Sequence, residues 1–340
     1  MTMIEDDKFA PVLDAIAERQ RERRRFLKVA GGASAAIAGA SLLAACGDDD
    51  DDDNISAPAP TPTPTSPTPS PTASEGDVLN FALNLEYLEA QFYSYAATGA
   101  GLPAALLSGT GTAGQVTGGQ QVQFRDPLVR QYALEIAADE RAHVAFLRRA
   151  IGNTAVAQPA IDISGSATGA FSAAARAAGL VGAGQAFDPY ASDEAFLLGA
   201  YIFEDVGVTA YKRASILINT PAFLEAAAGI LAAEAYHAGL VRTVLYQKGI
   251  AAPNAALNLI AASESISTAR DSLDGADDRD QGIQAVGGAA NLVPTDPNGI
   301  AFGRDAAQVL NIVYLNRASV SSGGFFPSGL NGTIRTSAAS

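Results

Sequence analysis

The amino-acid sequence predicts an all-α fold: a four-helix bundle with a C-terminal helical and loop extension. Three observations carry this. One helix pair is used twice along the chain. The second helix of each pair bears a Glu-x-x-His. Of the 340 residues 48% are apolar, with alanine and glycine prominent and no tryptophan, so long helices can pack closely around a sizeable core.

Residues 1–46 read as an export signal. Arg23-Arg24-Arg25-Phe26-Leu27-Lys28 precede a Gly/Ala-rich apolar stretch from Val29 to Ala45, a basic start followed by a short apolar segment. That stretch is marginal for spanning a bilayer. The basic run resembles the twin-arginine export motif, with Arg23 and Arg24 as the pair. Leu43-Ala44-Ala45-Cys46 resembles the bacterial lipobox, whose cysteine is lipidated. These resemblances imply the twin-arginine translocase as a partner during export, and a membrane partner through a lipid on Cys46. The expected location is the periplasm or cell envelope. A small buried helical cysteine is the bland alternative; the place of Cys46, between an apolar stretch and a charged tether, favours the anchor.

Residues 47–73 hold the run Asp48–Asp53 and then a Pro/Thr/Ser tract, too polar to fold and stiffened by proline into a linker. The net charge of −14 excludes nucleic acid as a partner, and the single cysteine excludes an internal disulfide framework.

The bundle is expected over residues 74–250. Ser74-Glu75 and Ser192-Asp193 each read as an N-cap with an acid in the first turn. Glu86 and Glu204 follow those serines by 12 residues, and Tyr93 and Tyr211 follow the glutamates by 7. Asp126-Pro127 and Thr220-Pro221 read as N-caps with proline at the first helical position. Each proline precedes a Glu-x-x-His by the same 13 residues: Glu140-Arg141-Ala142-His143 and Glu234-Ala235-Tyr236-His237. Helices are therefore expected at about 74–98, 126–151, 192–219 and 221–248. The long segment 152–191 can return along the bundle as a crossover.

The only two histidines both stand three residues after a glutamate. On a helix those positions share a face, so carboxylate and imidazole reach one ion. A glutamate from each of two helices, with Glu-x-x-His from each of two others, is a di-iron or di-manganese carboxylate constellation. The cofactors expected are two Fe or Mn ions. The competing reading is a metal-free polar core, which would have to hold four buried carboxylates without a cation.

Here the chain resembles bacterial ferritin-like domain proteins related to plant desiccation-related proteins. The resemblance rests on Asn84-Leu85-Glu86-Tyr87-Leu88-Glu89-Ala90-Gln91-Phe92-Tyr93, on both Glu-x-x-His motifs, and on two tail motifs. These are Asp271-Ser272-Leu273-Asp274-Gly275 and Gly323-Gly324-Phe325-Phe326-Pro327-Ser328-Gly329-Leu330-Asn331-Gly332. It implies Glu86 and His143 on one ion, Glu204 and His237 on the other, and Glu140 and Glu234 as bridges. Tyr93 and Tyr211 are the catalytic candidates, each placed to orient a ligand carboxylate. Glu89 could replace Glu86, but only Glu86 keeps the Glu-to-Tyr spacing. Asp139 has Ala233 in the matching place. Arg148 and Arg242 are expected on solvated helix ends.

Residues 251–340 form the extension, with helices expected at about 254–273 and 304–316. The acidic loop 274–280 does not match an EF-hand and reads as a solvated cap. Phe325-Phe326-Pro327 reads as a clip onto the bundle. The leading functional expectation is an exported di-metal oxidoreductase, a ferroxidase or peroxide-consuming enzyme of oxidative stress defence. The alternatives are a desiccation-protective structural protein with little turnover and a manganese catalase-like enzyme. A homo-oligomer is compatible with the sequence, but a closed storage cage conflicts with the anchor, stalk and extension.

Overall fold

The computed structural model describes residues 73–340. The export signal, Cys46 and most of the linker lie outside the described residues. No helix among the described residues is long and apolar enough to cross a membrane.

Four long helices make the bundle: α1 (Glu75–Thr98), α2 (Pro127–Ile151), α4 (Asp193–Ala214) and α5 (Pro221–Ala251). A short α3 (Ala170–Ala177) lies in the crossover, and α6 (Leu259–Asp274) and α7 (Ala306–Val313) belong to the extension. Strands β1 (Val116–Gly118) and β2 (Ile161–Ile163) pair in parallel and tie the α1–α2 connection to the crossover.

The expected caps start the helices. Ser74 accepts from Asp77 N in a capping box, Asp126 from Leu128 N, and Ser192 from Ala195 N. Thr220 makes no such bond, and Pro127 and Pro221 open their helices. α1 ends at Gly99, whose φ of 78° is left-handed and suits glycine.

End contacts fix the helix directions. Glu75 at the start of α1 accepts from Thr220 N at the start of α5. Asp193 at the start of α4 accepts from Asp126 N at the start of α2. Lys248 near the end of α5 pairs with Asp126 and Glu194. The order is up, down, down, up, with one crossover between α2 and α4. α1 packs mainly on α2 and α4 on α5; the pairs meet α1 against α4 and α2 against α5.

α1 and α4 are buried nearly all round, whereas α2 buries one stripe of Val129, Ala133, Ile136, Glu140, Val144 and Leu147. The outer faces of α1 and α4 are covered by the crossover and the tail. Phe325 packs edge-on against Phe203 at 4.9 Å and Phe171 at 5.2 Å. Those rings continue into Phe92 and Phe196, an aromatic core at one end of the bundle.

The extension corrects two expectations. Arg242 is fully buried, not solvated; it donates to Asp205 Oδ2 at 2.8 Å and to the Gly282 carbonyl at 2.6 Å. Arg148, half-buried, donates to the Tyr87 hydroxyl of α1. The acidic loop is not a solvated cap at its two ends. Asp280 pairs with Arg270 at 2.8 Å and Arg304 at 2.6 Å, and Asp274 with Arg304 at 2.5 Å. Its carboxylates are needed where buried guanidinium groups would otherwise be unpaired. The tail also docks by hydrogen bonds. Asn331 exchanges a pair with Asn84 of α1, donating N to Oδ1 at 3.1 Å and accepting at O at 2.9 Å.

Candidate metal centre

All four long helices converge on one point in mid-bundle. α1 brings Glu86, α2 Glu140 and His143, α4 Glu204, and α5 Glu234 and His237. The four carboxylates are at most 1% exposed and His237 is 3% exposed. His143 is a little more open, its side chain 12% exposed.

The groups assemble in two overlapping sets. His143 Nδ1 stands 3.2 Å from Glu86 Oε2, 3.6 Å from Glu140 Oε2 and 3.8 Å from Glu234 Oε1. His237 Nδ1 stands 3.1 Å from Glu140 Oε1 and 3.7 Å from Glu204 Oε2. Glu140 therefore offers one oxygen to each set. Glu234 joins only the His143 set. The internal repeat had put both glutamates at equivalent places, and Gly207 accounts for the difference. A Cβ there would stand 2.4 Å from Glu234 Oε2, so this carboxylate leans onto bare α4 backbone. Gly207 occupies the repeat position of Glu89, which is buried beside the same glycine.

The tyrosines act across the bundle. The Tyr93 hydroxyl of α1 donates to Glu204 Oε1 of α4, and the Tyr211 hydroxyl of α4 donates to Glu86 Oε1 of α1. Each tyrosine thus holds the outer oxygen of a glutamate whose Oε2 faces a histidine. That is a positioning contact with the carboxylates rather than with the middle of the site.

The electrostatics are those of crowded, dry carboxylates. Burial pushes Glu86 up to about 7 against the opposing pull of His143. Burial likewise pushes Glu204 up to about 8 against His237. Glu234 and Glu89 are raised well above the carboxylate range by burial and by the neighbouring carboxylates. Glu140 goes the other way: burial is outweighed by His143 and His237 on either side. Burial favours neutral imidazoles, but the glutamates prevail and lift His143 to about 11 and His237 to about 10.

The facing atoms are close without being hydrogen-bonded. Glu86 Oε2, Glu204 Oε2, both oxygens of Glu140 and Glu234, and both histidine Nδ1 atoms are buried and unpartnered. Unpaired polar atoms in a dry interior are costly, and a cation in each set would satisfy them together. Carboxylate and imidazole suit Fe or Mn. The cluster thus fits a metal site.

Sequence reasoning left Asp139 without a role. Its Oδ2 lies 3.3 Å from His237 Nε2, which turns Nδ1 toward the centre. Among the described residues His143 has no matching carboxylate on Nε2, because Ala233 stands where a second aspartate would. The Asp139/Ala233 mismatch was the signal.

A family model for the ferritin-like domain matches residues 74–247. The chain is 31% identical over 175 residues to the desiccation-related protein PCC13-62 of Craterostigma plantagineum, covering 52% of this chain and 54% of that one. The chain therefore spans about half the length of that relative. It is 26% identical over 267 residues to the ferritin-like catalase Nec2 of Nesocodon mauritianus, covering 76% of this chain and 84% of that one. No solved structure matches the chain.

Proposed function

The chain belongs to the ferritin-like domain family, and on that premise we propose that it is an exported dinuclear Fe or Mn oxidoreductase of the cell envelope, with hydrogen peroxide its favoured substrate. The observation that carries this is the set of unpartnered carboxylate and imidazole atoms converging from four helices. When bound, two such ions supply a redox couple able to exchange two electrons with a peroxide or with dioxygen.

The chain's own residues do the rest. Glu86, Glu140, Glu234 and His143 would hold one ion, and Glu204, Glu140 and His237 the other, with Glu140 offering an oxygen to each set. Four carboxylates balance two divalent charges. Tyr93 and Tyr211 pin the outer oxygens of Glu204 and Glu86, which keeps the inner oxygens aimed. Asp139 holds His237 in the tautomer that offers Nδ1. The buried surroundings exclude all but small molecules and strengthen every charge interaction inside.

Peroxide is favoured over ferrous iron by the similarity to the ferritin-like catalase, which covers 76% of this chain and 84% of that one. In disproportionation two H2O2 yield two H2O and one O2; one peroxide is oxidised and the other reduced. The second reading is a desiccation-protective protein with little turnover, favoured by the similarity to the desiccation-related protein.

The test is elemental analysis of protein exported in its own host, followed by oxygen electrode assays. Two Fe or Mn per chain with oxygen evolved from peroxide is the expected result. Bound metal without turnover would move the reading to the protective role, and a metal-free purified chain that takes up no added Fe or Mn would end both metal readings.

A further inference from the structure

Beside the centre lies a small, mostly apolar cavity that the proposed chemistry does not use. Its walls are Leu88, Val206, Ile312, Val313 and Phe325, all buried, and its floor is Glu89 and Gly207. The cavity leaves ≈ 20 Å³ for the centre of a water-sized molecule, where roughly 10–15 Å³ admits one. The tail makes it: Ile312 and Val313 of α7 and the Phe325 ring roof a gap between α1 and α4 that would otherwise open outward. Phe325 is held in place by Phe203 and Phe171, and by its N donating to the Val313 carbonyl.

The floor is the link to the centre. Gly207 has no side chain, and the place of its missing Cβ is 2.4 Å from Glu234 Oε2 and 3.4 Å from Glu89 Oε1. Only this stretch of bare backbone and two carboxylates separates the cavity from the centre. Glu89, 5% exposed, supplies the one carboxylate of the lining. No other polar side chain lines the cavity.

That chemistry selects the occupant. A water held there would find one carboxylate, short of the two to four partners a buried water makes. Hydrogen peroxide, with two O–H donors to satisfy, would be poorly served for the same reason. A small apolar molecule loses nothing. We infer that this cavity holds dioxygen, as a way station between the centre and the outside. The inference rests on the proposed function, in which O2 is the product of peroxide disproportionation; in ferrous oxidation it would be the substrate. It is the one molecule common to both directions.

The experiment uses the full chain, metal-free, with 13C-labelled Ile, Leu and Val methyl groups. Spectra under pressurised O2 and under N2 are compared. Paramagnetic relaxation should be several-fold greater at Leu88, Val206 and Val313 than at Val129 and Leu245, which are equally buried elsewhere. Val313→Phe fills the cavity and should remove the excess at Leu88 and Val206. If that variant does not fold, Val206→Ile, a single added methylene, should reduce the excess at Leu88 and Val313. With metal restored, the filled variant should lose several-fold in kcat with metal content unchanged. Uniform relaxation across all buried methyls would overturn the inference, as would unaltered kcat in a filled variant that has lost the excess. The metal-free arm does not depend on turnover, so a chain that takes up O2 but leaves peroxide intact would cost the functional reading and not the cavity's.

Discussion

At the scale of single residues, the two halves of the site are alike in type and unlike in support. Glu140 faces both histidines, while Glu234 is drawn toward Gly207. Glu140→Ala should therefore lower the occupancy of both metal positions, and His143→Ala mainly that of its own. The two losses should be non-additive because two ions there would share Glu140. Asp139 props only His237. Asp139→Ala should weaken the His237 position by about 10–100-fold and leave the other nearly unchanged, the usual range for removing an outer partner of a metal-bound imidazole. Equilibrium dialysis with metal analysis, helicity checked by circular dichroism, reads all three variants. If Glu140→Ala and His143→Ala both keep two ions bound per folded chain, the proposed ligand set is wrong.

At the scale of elements, the extension is joined to the bundle by ions as well as by apolar packing. Arg270 of the extension pairs with Asp205 of α4 at 2.8 Å, and Asp280 in turn serves Arg270 and Arg304 at once. Asp280→Ala would leave two buried guanidinium groups short of a partner and should cost about 3–5 kcal/mol of stability. The pH dependence has a definite sign. Burial raises the Asp280 carboxyl, but Arg270 and Arg304 outweigh it and hold it below its ordinary 3.8. Its contribution is thus complete above about pH 4 and is lost as pH falls through the depressed value. The stability gap between wild type and variant, from urea melts, should be level from neutral pH down to about 5 and narrow only below 4. The helices that carry the site were legible because Ser74, Asp126-Pro127, Ser192 and Pro221 mark their starts in the sequence itself. The clasp was not. Asp205 meets Arg242 from 37 residues away and Arg270 from 65, and nothing local distinguishes a charge that will be buried by such a partner from one facing water. α3 and the two short strands were missed for a related reason: their segments take shape from the crossover and tail packed around them. Asp139 falls between these cases, visible as a broken repeat but without a partner until α2 and α5 are placed together.

At the scale of the whole molecule, the described domain is one half of an expected design whose other half is the leader and stalk. Arg23→Lys with Arg24→Lys should stop export, and Cys46→Ser should release the exported protein from membranes. Fractionation with immunoblotting checks both; export that persists with the twin-arginine translocase disabled, or a Cys46→Ser chain still in the lipid fraction, would remove the corresponding part of the proposal. A last consequence follows from the Asn84–Asn331 pair, whose members are 247 residues apart and of which the first lies one half-turn from Glu86. At roughly 5–20 residues per second, a ribosome needs on the order of ten to fifty seconds to travel between them. Through most of that interval Asn84 has only its bond to Asn80 O within α1, and the gap above Glu89 and Gly207 has no roof. The tail therefore works as a clock and a checkpoint: only a chain translated through Phe325 can roof that gap, and a prematurely terminated one advertises the fault as an open groove.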